Sequence, residues 1–263
     1  MGGFDISEQK YKTFVDTLES YWIQRGGHLG GSLTLEADAD DTSNALFALN
    51  RAGRLIDSAN CEQLFQYFRG DHFVTYKYEI TPSLTTNFHC LMALKRYRDN
   101  PRIKDIVDKV VKWIRSEAKT DDKYLFRDKW HFSPFYPMSR AVLALEGVDN
   151  DMALKCIQQM IDLQNKDGGW GLGDQSSSEE TAFVVLTLCF WLRKGHKESV
   201  DKMRLSLTSG KEFLKTSKDR PLWPLWITKS LYCLTDTVRA LVYAAKYSEP
   251  LDEPLEYLRR NTF

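Results

Sequence analysis

Three carboxylates crowd into four residues at Asp38-Ala39-Asp40-Asp41. An apolar helical pattern begins directly after them, so the simplest interpretation is an N-cap, in which Asp side chains accept hydrogen bonds from the first free amides of the helix. Capping does not require three carboxylates, however. Like charges crowded at a half-buried helix end favour retention of a proton by at least one of them at neutral pH. The pattern therefore predicts a neutral carboxylic acid whose neighbours stabilise its conjugate base.

Aromatic residues are abundant, with 14 Phe, 12 Tyr and 7 Trp, and many fall in loops or at helix boundaries. A buried acid can protonate a carbon–carbon double bond, and the resulting carbocation needs walls that stabilise positive charge without forming a bond. Aromatic faces meet that need. We expect a lined cavity, although packing in the helix core is the alternative for each residue singly. The expected lining residues are Tyr76, Tyr78, Trp130, Phe132, Phe135, Tyr136, Trp170, Trp226 and Tyr232.

His89 lies near the start of a second apolar helical segment. We expect it to hydrogen-bond the acid and to help restore its proton, and a core histidine satisfied by its surroundings is the alternative. The final proton of such a reaction would pass to water or to Tyr136 or Tyr232. The other histidines receive no role, and Glu179-Glu180 is interpreted as an ordinary helix N-terminus.

The elements that carry these residues are helices of two kinds. Residues 10–24 and 103–117 have amphipathic spacing, whereas 181–192 and 237–245 are apolar almost all round and are expected to be buried on most faces. Apolar helix starts recur roughly every 45 to 50 residues, which indicates one helical hairpin per repeat. The predicted fold is all-α, an α/α toroid of five to six hairpins formed by residues 1–263 as a single domain. An open solenoid of helix pairs is the alternative.

Composition excludes several classes of protein. Lys plus Arg and Asp plus Glu are equal at 36 each, so there is no basic field for nucleic acid. The longest apolar stretch, residues 183–192, is shorter than the ~18 residues of a membrane span. The N-terminus resembles no signal peptide, which predicts a cytoplasmic protein. The five cysteines lack zinc-binding spacing, so no metal site is predicted.

Two motifs together resemble those of class II terpene cyclases. Asp38-Ala39-Asp40-Asp41 has the form DxDD, and residues 164–170 have the form QxxxGxW; residues 128–137, 179–182 and 225–229 also resemble segments of microbial diterpene-type members. The resemblance implies the α/α barrel known as the β domain, a protonation-initiated cyclisation, and Asp40 as proton donor with Asp38 and Asp41 as its partners. It implies no cofactor.

Family members usually add a second, γ barrel, for which 263 residues leave no room. The sequence therefore resembles the single-domain variety that cyclises prenylated dihydroxybenzoates, either as a natural single-domain enzyme or as an excised β domain. A geranylgeranylated dihydroxybenzoate is the expected substrate. Arg69 and Lys77 are candidates for anchoring its polar head. The alternatives are a prenyl diphosphate cyclase of the copalyl diphosphate synthase type, with Mg²⁺ as counter-ion, and a non-catalytic helical-repeat binding protein. Peripheral membrane contact and oligomeric state are left open.

Overall fold

A computed structural model describes residues 9–32, 34–120, 122–217 and 222–250. These residues form two compact units: an N-terminal unit of residues 9–118 with Ala144–Asn150, and a C-terminal unit of Lys119–Leu143 with residues 151–250. They contain nine α-helices: α1 Gln9–Gln24, α2 Ala39–Arg51, α3 Leu84–Leu94, α4 Pro101–Glu117, α5 Phe135–Leu145, α6 Asn150–Asp162, α7 Ser178–Arg193, α8 Val200–Thr216 and α9 Thr235–Tyr247. Two 3₁₀ segments, Ser58–Tyr67 and Lys95–Tyr97, and an antiparallel pair, β1 Trp226–Ile227 and β2 Leu231–Tyr232, complete the described elements.

In the N-terminal unit α2 packs against α1 and α3, and α3 packs against α4. Helix α3 is apolar and ten of its residues are buried, whereas α4 buries a single stripe that includes Ile103 and Ile114. Asn100 caps α4 and Pro101 occupies its first turn, where a missing N–H costs nothing. These helices hold the N-terminus of α2, and with it the three aspartates, against α3.

In the C-terminal unit α8 and α9 pack against α7, nearly all of which is buried. The loop before α7 contains the QxxxGxW segment. Gln164 Nε2 donates to the carbonyl oxygens of Gly168 and Ser206, at 2.7 and 2.9 Å, and the indole nitrogen of Trp170 donates to the Met160 carbonyl at 2.7 Å. The segment thus ties the end of α6 to α8.

The predicted helices over residues 10–24, 103–117 and 181–192 are confirmed by α1, α4 and α7. The expectation for residues 237–245 was wrong in one respect. Helix α9 is present, but of its described residues only Val238 and Ala245 are buried, and Tyr243 is 58% exposed. It packs on α7 and α8 with one face, while the other faces solvent. The short β1–β2 pair was not predicted. None of the described helices is both long and apolar enough to span a bilayer.

Candidate active site

The aspartate cluster lies at the N-terminus of α2. Asp38 is the N-cap: its backbone is extended, and its Oδ1 accepts a hydrogen bond from the backbone N–H of Asp41 at 2.8 Å. The segment is held from both sides, because Asp38 N donates to the Leu29 carbonyl and Ala39 N donates to the Thr75 carbonyl, each at 2.9 Å. One carboxylate, that of Asp38, therefore caps the helix. The carboxyl groups of Asp40 and Asp41, in the first turn, are not needed for capping.

Burial changes the protonation of this cluster. It raises the pKa of Asp38 to about 8, with the charges of Asp41 and Asp40 raising it and the Asp41 amide lowering it. Burial also raises the pKa of Asp41, against the lowering effect of its side-chain hydrogen bond with Asp38. These shifts support the prediction that at least one of the three carboxyl groups keeps its proton at neutral pH.

Asp40 contacts His89, as the sequence predicted. Asp40 Oδ1 lies 2.7 Å from His89 Nδ1. The Asp40 side chain is 33% exposed and that of His89 only 5%, so the aspartate lies on the accessible side of the pair and the histidine behind it. In this geometry a ligand can contact the Asp40 carboxyl group, while the His89 imidazole hydrogen-bonds the same group from its buried side.

Asn44, one turn further along α2, joins the same network. Its Nδ2 donates to the Asp40 carbonyl at 3.0 Å and lies 3.1 Å from His89 Nδ1. A backbone carbonyl oxygen can only accept a hydrogen bond, so the Asn44 atom that contacts it must be the amide nitrogen Nδ2. The same NH₂ group then faces His89. The ring nitrogen therefore has two polar neighbours, the Asp40 carboxyl group and an amide N–H donor. No role for Asn44 was predicted from the sequence.

The loop between the segment Ser58–Tyr67 and α3 carries four of the predicted site residues, which are Arg69, Tyr76, Lys77 and Tyr78. Burial, together with the charges of Asp38 and Asp41, raises the pKa of Tyr76, so this phenol lies in the field of the cluster. The Tyr78 side chain is 88% exposed and Lys77 is exposed as well. Arg69 donates to the backbone carbonyls of Gln66, Phe68 and Lys77, which fixes the loop. Of the four, Tyr76 is therefore the one the structure brings to the aspartates.

A second cluster forms in the C-terminal unit around His131. The backbone N–H of Phe132 donates to the Leu225 carbonyl and that of Ile227 to the Trp130 carbonyl, which sets residues 130–132 beside β1. The His131 ring centroid consequently lies 4.8 Å from that of Tyr136, 4.9 Å from that of Trp226 and 5.7 Å from that of Phe183. Tyr136 and Trp226, both predicted lining residues, are thus brought together.

Two buried carboxyl groups from the start of α7 complete this cluster. Glu179 and Glu180 are 2% and 1% exposed, and the Trp226 indole N–H donates to Glu179 Oε1 at 2.8 Å. Burial raises the pKa of Glu180, opposed by hydrogen bonds from Ser133 and Ser177. From the sequence no role was predicted for His131, and the two glutamates were expected to be an ordinary helix N-terminus. The sequence signals that could have indicated these residues are local ones: His131 lies within the aromatic segment 130–136, and the two glutamates directly precede the apolar pattern of α7.

The remaining predicted lining residues differ in their surroundings. Trp170 requires a correction: its side chain is fully buried, its indole N–H is bonded to the Met160 carbonyl, and it packs on Gly210, so it belongs to the helix packing. Phe135 is buried at 1% exposure and packs edge-on to Tyr124. Phe132 is 55% exposed, while Trp130 and Tyr232 are half-buried, with Tyr232 paired to Trp226 across β1 and β2.

Among the described residues no group of three or more His, Cys, Asp or Glu side chains is arranged to hold a metal ion. What the N-terminal unit does present is an acid cluster at a helix start, backed by a histidine. A helical fold with such a cluster is what the resemblance to class II terpene cyclases implied.

Comparisons with known proteins agree with that class. The chain is 34% identical over 240 residues to the type B diterpene cyclase of Mycobacterium tuberculosis, an alignment that covers 89% of this chain and 45% of the relative. Its fold matches that of ent-copalyl diphosphate synthase from Streptomyces platensis with a TM-score of 0.76 at 28% identity, over 89% of this chain and 45% of the other. No family model matches.

A more distant match shares the fold alone. The type II terpene cyclase MstE from Scytonema, solved with geranylgeranyl dihydroxybenzoate, matches with a TM-score of 0.58 at 12% identity, over 79% of this chain and 64% of MstE. Together the similarities support the class II terpene cyclase family for this chain, and they confirm the predicted all-α, α/α barrel fold class. The chain spans about 45% of the length of the first two proteins.

Proposed function

We propose that this chain is a class II terpene cyclase, which starts the ring closure of a linear polyprenyl chain by protonating one of its double bonds. The observation that carries the proposal is the geometry of Asp40. Its carboxyl group is the accessible member of a 2.7 Å contact with a buried histidine, and it stands between two carboxyl groups whose pKa values are raised by burial. The similarity to proteins named as diterpene cyclase and ent-copalyl diphosphate synthase supports the same activity.

Each residue of the cluster has a separate task in this mechanism. Asp40 gives its proton to an alkene carbon: a C–H bond forms from the π electron pair, and the neighbouring carbon becomes a carbocation. Further double bonds of the chain then attack in turn and close the rings. Asp38 and Asp41 surround the carboxylate left behind, and His89, in contact with Asp40 Oδ1, returns a proton to it before the next cycle. The reaction needs no redox cofactor.

The relatives favour a diphosphate head group on the substrate. The more similar proteins are the diterpene cyclase and the copalyl diphosphate synthase, so we propose geranylgeranyl diphosphate as the substrate, with Mg²⁺ as counter-ion to the diphosphate. The geranylgeranylated dihydroxybenzoate expected from the sequence is the second candidate. It is supported by the fold similarity to a cyclase solved with that ligand.

The test is to incubate the purified chain with geranylgeranyl diphosphate, with and without Mg²⁺, and separately with the geranylgeranylated dihydroxybenzoate. We expect a cyclised isomer from the diphosphate. Asp40→Asn keeps the shape of the side chain but removes the acid, so turnover should fall by about 10²- to 10⁴-fold while the ligand still binds. Asp57→Asn is the matched control, because Asp57 is also a capping aspartate, at the start of the segment Ser58–Tyr67.

The outcomes separate the candidates clearly. Conversion of the dihydroxybenzoate alone would overturn the diphosphate proposal and leave the cyclase activity standing. Binding of either ligand without turnover, unchanged in Asp40→Asn, would instead identify a helical-repeat binding protein.

A further inference from the structure

A buried threonine ties the start of α2 to the loop that precedes it. The Thr42 hydroxyl group accepts a hydrogen bond from the Leu29 backbone N–H and donates one to the Leu29 carbonyl, each at 3.0 Å, and the Thr42 side chain is fully buried. The same carbonyl accepts from the backbone N–H of Asp38 at 2.9 Å. The Leu29 peptide thus joins the N-cap residue of α2 to the residue one turn further along, an arrangement that we call the Leu29–Thr42 clamp.

The same arrangement occurs at the start of α7 in the C-terminal unit. Thr181 Oγ1 accepts from the backbone N–H of Trp170 at 2.9 Å and donates to its carbonyl at 3.3 Å. That carbonyl also accepts from the backbone N–H of Ser177, at 2.9 Å. Ser177 is the N-cap of α7, and its side chain accepts from the backbone N–H of Glu180, three positions ahead, as the N-cap of α2 does.

A glycine follows the clamped residue in both units. A Cβ atom at Gly30 would collide with the carbonyl oxygen of Glu36, and one at Gly171 would collide with that of Gln175. In each loop the backbone therefore returns close across the glycine, where only a residue without a side chain fits. Because cap, clamp and glycine coincide in the two places, they indicate an internal structural repeat.

The two repeats differ in the carboxyl groups that they hold. Asp40 and Glu179 each lie two positions after the N-cap, but the Asp40 side chain is partly accessible and that of Glu179 is buried. The clamped residues are also 13 positions apart before α2 and 11 before α7. The longer loop comes back to the acids, since a Cβ atom at Gly31 would lie 3.5 Å from Asp41 Oδ2. An accessible acid is therefore held by the clamp of α2 and not by that of α7.

We propose that Thr42 is a positioning residue of the cyclase, which fixes Asp38 beside Asp40 and Asp41 through the Leu29 peptide. This inference rests on the proposed function. A general acid acts only within a narrow range of positions, and an error of about 1 Å can cost about 10²-fold in rate. Thr42 is buried, so it acts through these carboxyl groups and not by contact with the substrate.

The repeat supplies the control for a test of Thr42. Thr42→Val keeps the size of the side chain but removes both hydrogen bonds, whereas the hydroxyl group of Thr42→Ser can make both. Thr181→Val makes the same change in the clamp that holds no accessible acid. Steady-state rates are measured with whichever of geranylgeranyl diphosphate, with Mg²⁺, and the geranylgeranylated dihydroxybenzoate the wild type converts. Urea unfolding and the ¹⁵N chemical shifts of the His89 ring are measured without substrate.

Thr42→Val should lower kcat about 10- to 100-fold and change KM less than about threefold, because the acid is displaced while the binding surface remains. Thr42→Ser should keep at least about half of the wild-type kcat, since it restores the clamp. Both valine variants should lower the urea midpoint, because each leaves a backbone N–H without its partner. Thr181→Val should nevertheless keep kcat within about twofold of the wild type. The His89 signals, which report on the contact with Asp40, should move in Thr42→Val alone.

An unchanged kcat in Thr42→Val, or an equal fall in Thr181→Val, would overturn the inference while the proposed function stands. A fall in kcat without movement of the His89 signals would place the effect outside the acid cluster and overturn it as well. A wild type that converts neither substrate would overturn the proposed function and the inference with it. If Thr42→Val fails to fold, as judged by circular dichroism, Thr42→Cys decides: its thiol is a weak donor and acceptor, so a kcat equal to that of Thr42→Ser would contradict the inference.

Discussion

Asp40 Oδ1 and His89 Nδ1 lie 2.7 Å apart, although 49 positions of sequence separate the two residues. The contact depends on the packing of α2 against α3, because one residue stands in the first turn of α2 and the other in the middle of α3. The two side chains differ in exposure, since that of Asp40 is partly accessible and that of His89 is buried. In the proposed mechanism, ligand therefore meets the Asp40 carboxyl group and a proton returns to that group from His89.

Replacement of His89 tests whether Asp40 is reprotonated through the histidine ring. His89→Phe keeps an aromatic ring in α3 but removes the hydrogen bond to Asp40, so the acid is no longer reprotonated through the ring. We expect kcat to fall by about 10²-fold with a smaller change in KM, since a general acid–base partner contributes at least that much. Steady-state kinetics measure it. His28→Phe, at a histidine bonded to Gln66 on the surface of the same unit, is the control and should retain wild-type rates.

Asn44 is expected to determine where the proton between Asp40 and His89 resides. Its Nδ2 is a donor, 3.1 Å from His89 Nδ1, and so favours a bare ring nitrogen and a protonated Asp40. Asn44→Asp reverses this preference, because a carboxylate attracts Nδ1–H and stabilises an imidazolium beside an ionised Asp40. We expect turnover to fall by about tenfold or more, and by less in Asn44→Ala.

The protonation state itself can be measured by ¹⁵N chemical shifts of the His89 ring, independently of turnover. The wild type should show a neutral ring and Asn44→Asp a cationic one. Asn50→Asp, in the last turn of the same helix, controls for an added charge on α2. An imidazolium in the wild type would contradict the assignment of the proton to Asp40.

The stability of the protein should depend on pH through Asp38. Its pKa is about 8 in the folded chain against 3.8 for an unperturbed aspartate, so between these values folding takes up a proton. The free energy of unfolding should then decrease as pH rises from 4 to 8, with a slope of at most about 1.4 kcal/mol per pH unit from this one group. Below pH 4 the contribution no longer changes.

Asp38→Asn is the variant that tests this slope, because Asn still accepts the hydrogen bond of the N-cap and does not titrate. Urea unfolding at pH 5, 6, 7 and 8 should give a flatter dependence for the variant than for the wild type. Part of the slope should remain, since the pKa of Asp41 is raised as well. Equal slopes in the two proteins would show that Asp38 is ionised in the folded chain.

Sequence patterns predicted those parts of the site that depend on neighbouring residues. Asp38, Asp40 and Asp41 precede an apolar helix, and both the cap and the crowding of charge follow from that spacing alone. His131 and Glu179 could not be paired in this way, because one lies in a loop before α5 and the other at the start of α7, and β1 brings Trp226 to both. Periodicity also failed to show which face of α9 is covered, since burial depends on its neighbours.

Trp170, which sequence analysis placed in a cavity, is expected to act on stability through Gly210. A Cβ atom at position 210 would lie 2.6 Å from Trp170 Cζ3 and 2.9 Å from Val185 Cγ2. In an open helix Gly→Ala stabilises by about 1 kcal/mol, but overpacking a filled core costs about 1 to 3 kcal/mol. Gly210→Ala should therefore lower the free energy of unfolding, as measured by urea denaturation, despite its better helix propensity.

The double variant identifies the cause of that loss. Trp170→Phe alone removes the hydrogen bond to the buried Met160 carbonyl and should cost about 1 to 3 kcal/mol. It also frees the space into which the new methyl group of Gly210→Ala projects, so the two losses should not add, and the double variant should be more stable than their sum predicts. Additive losses would mean that α8 moves away from Trp170 instead, and that the close approach of the glycine to the indole is not what holds α8 in place.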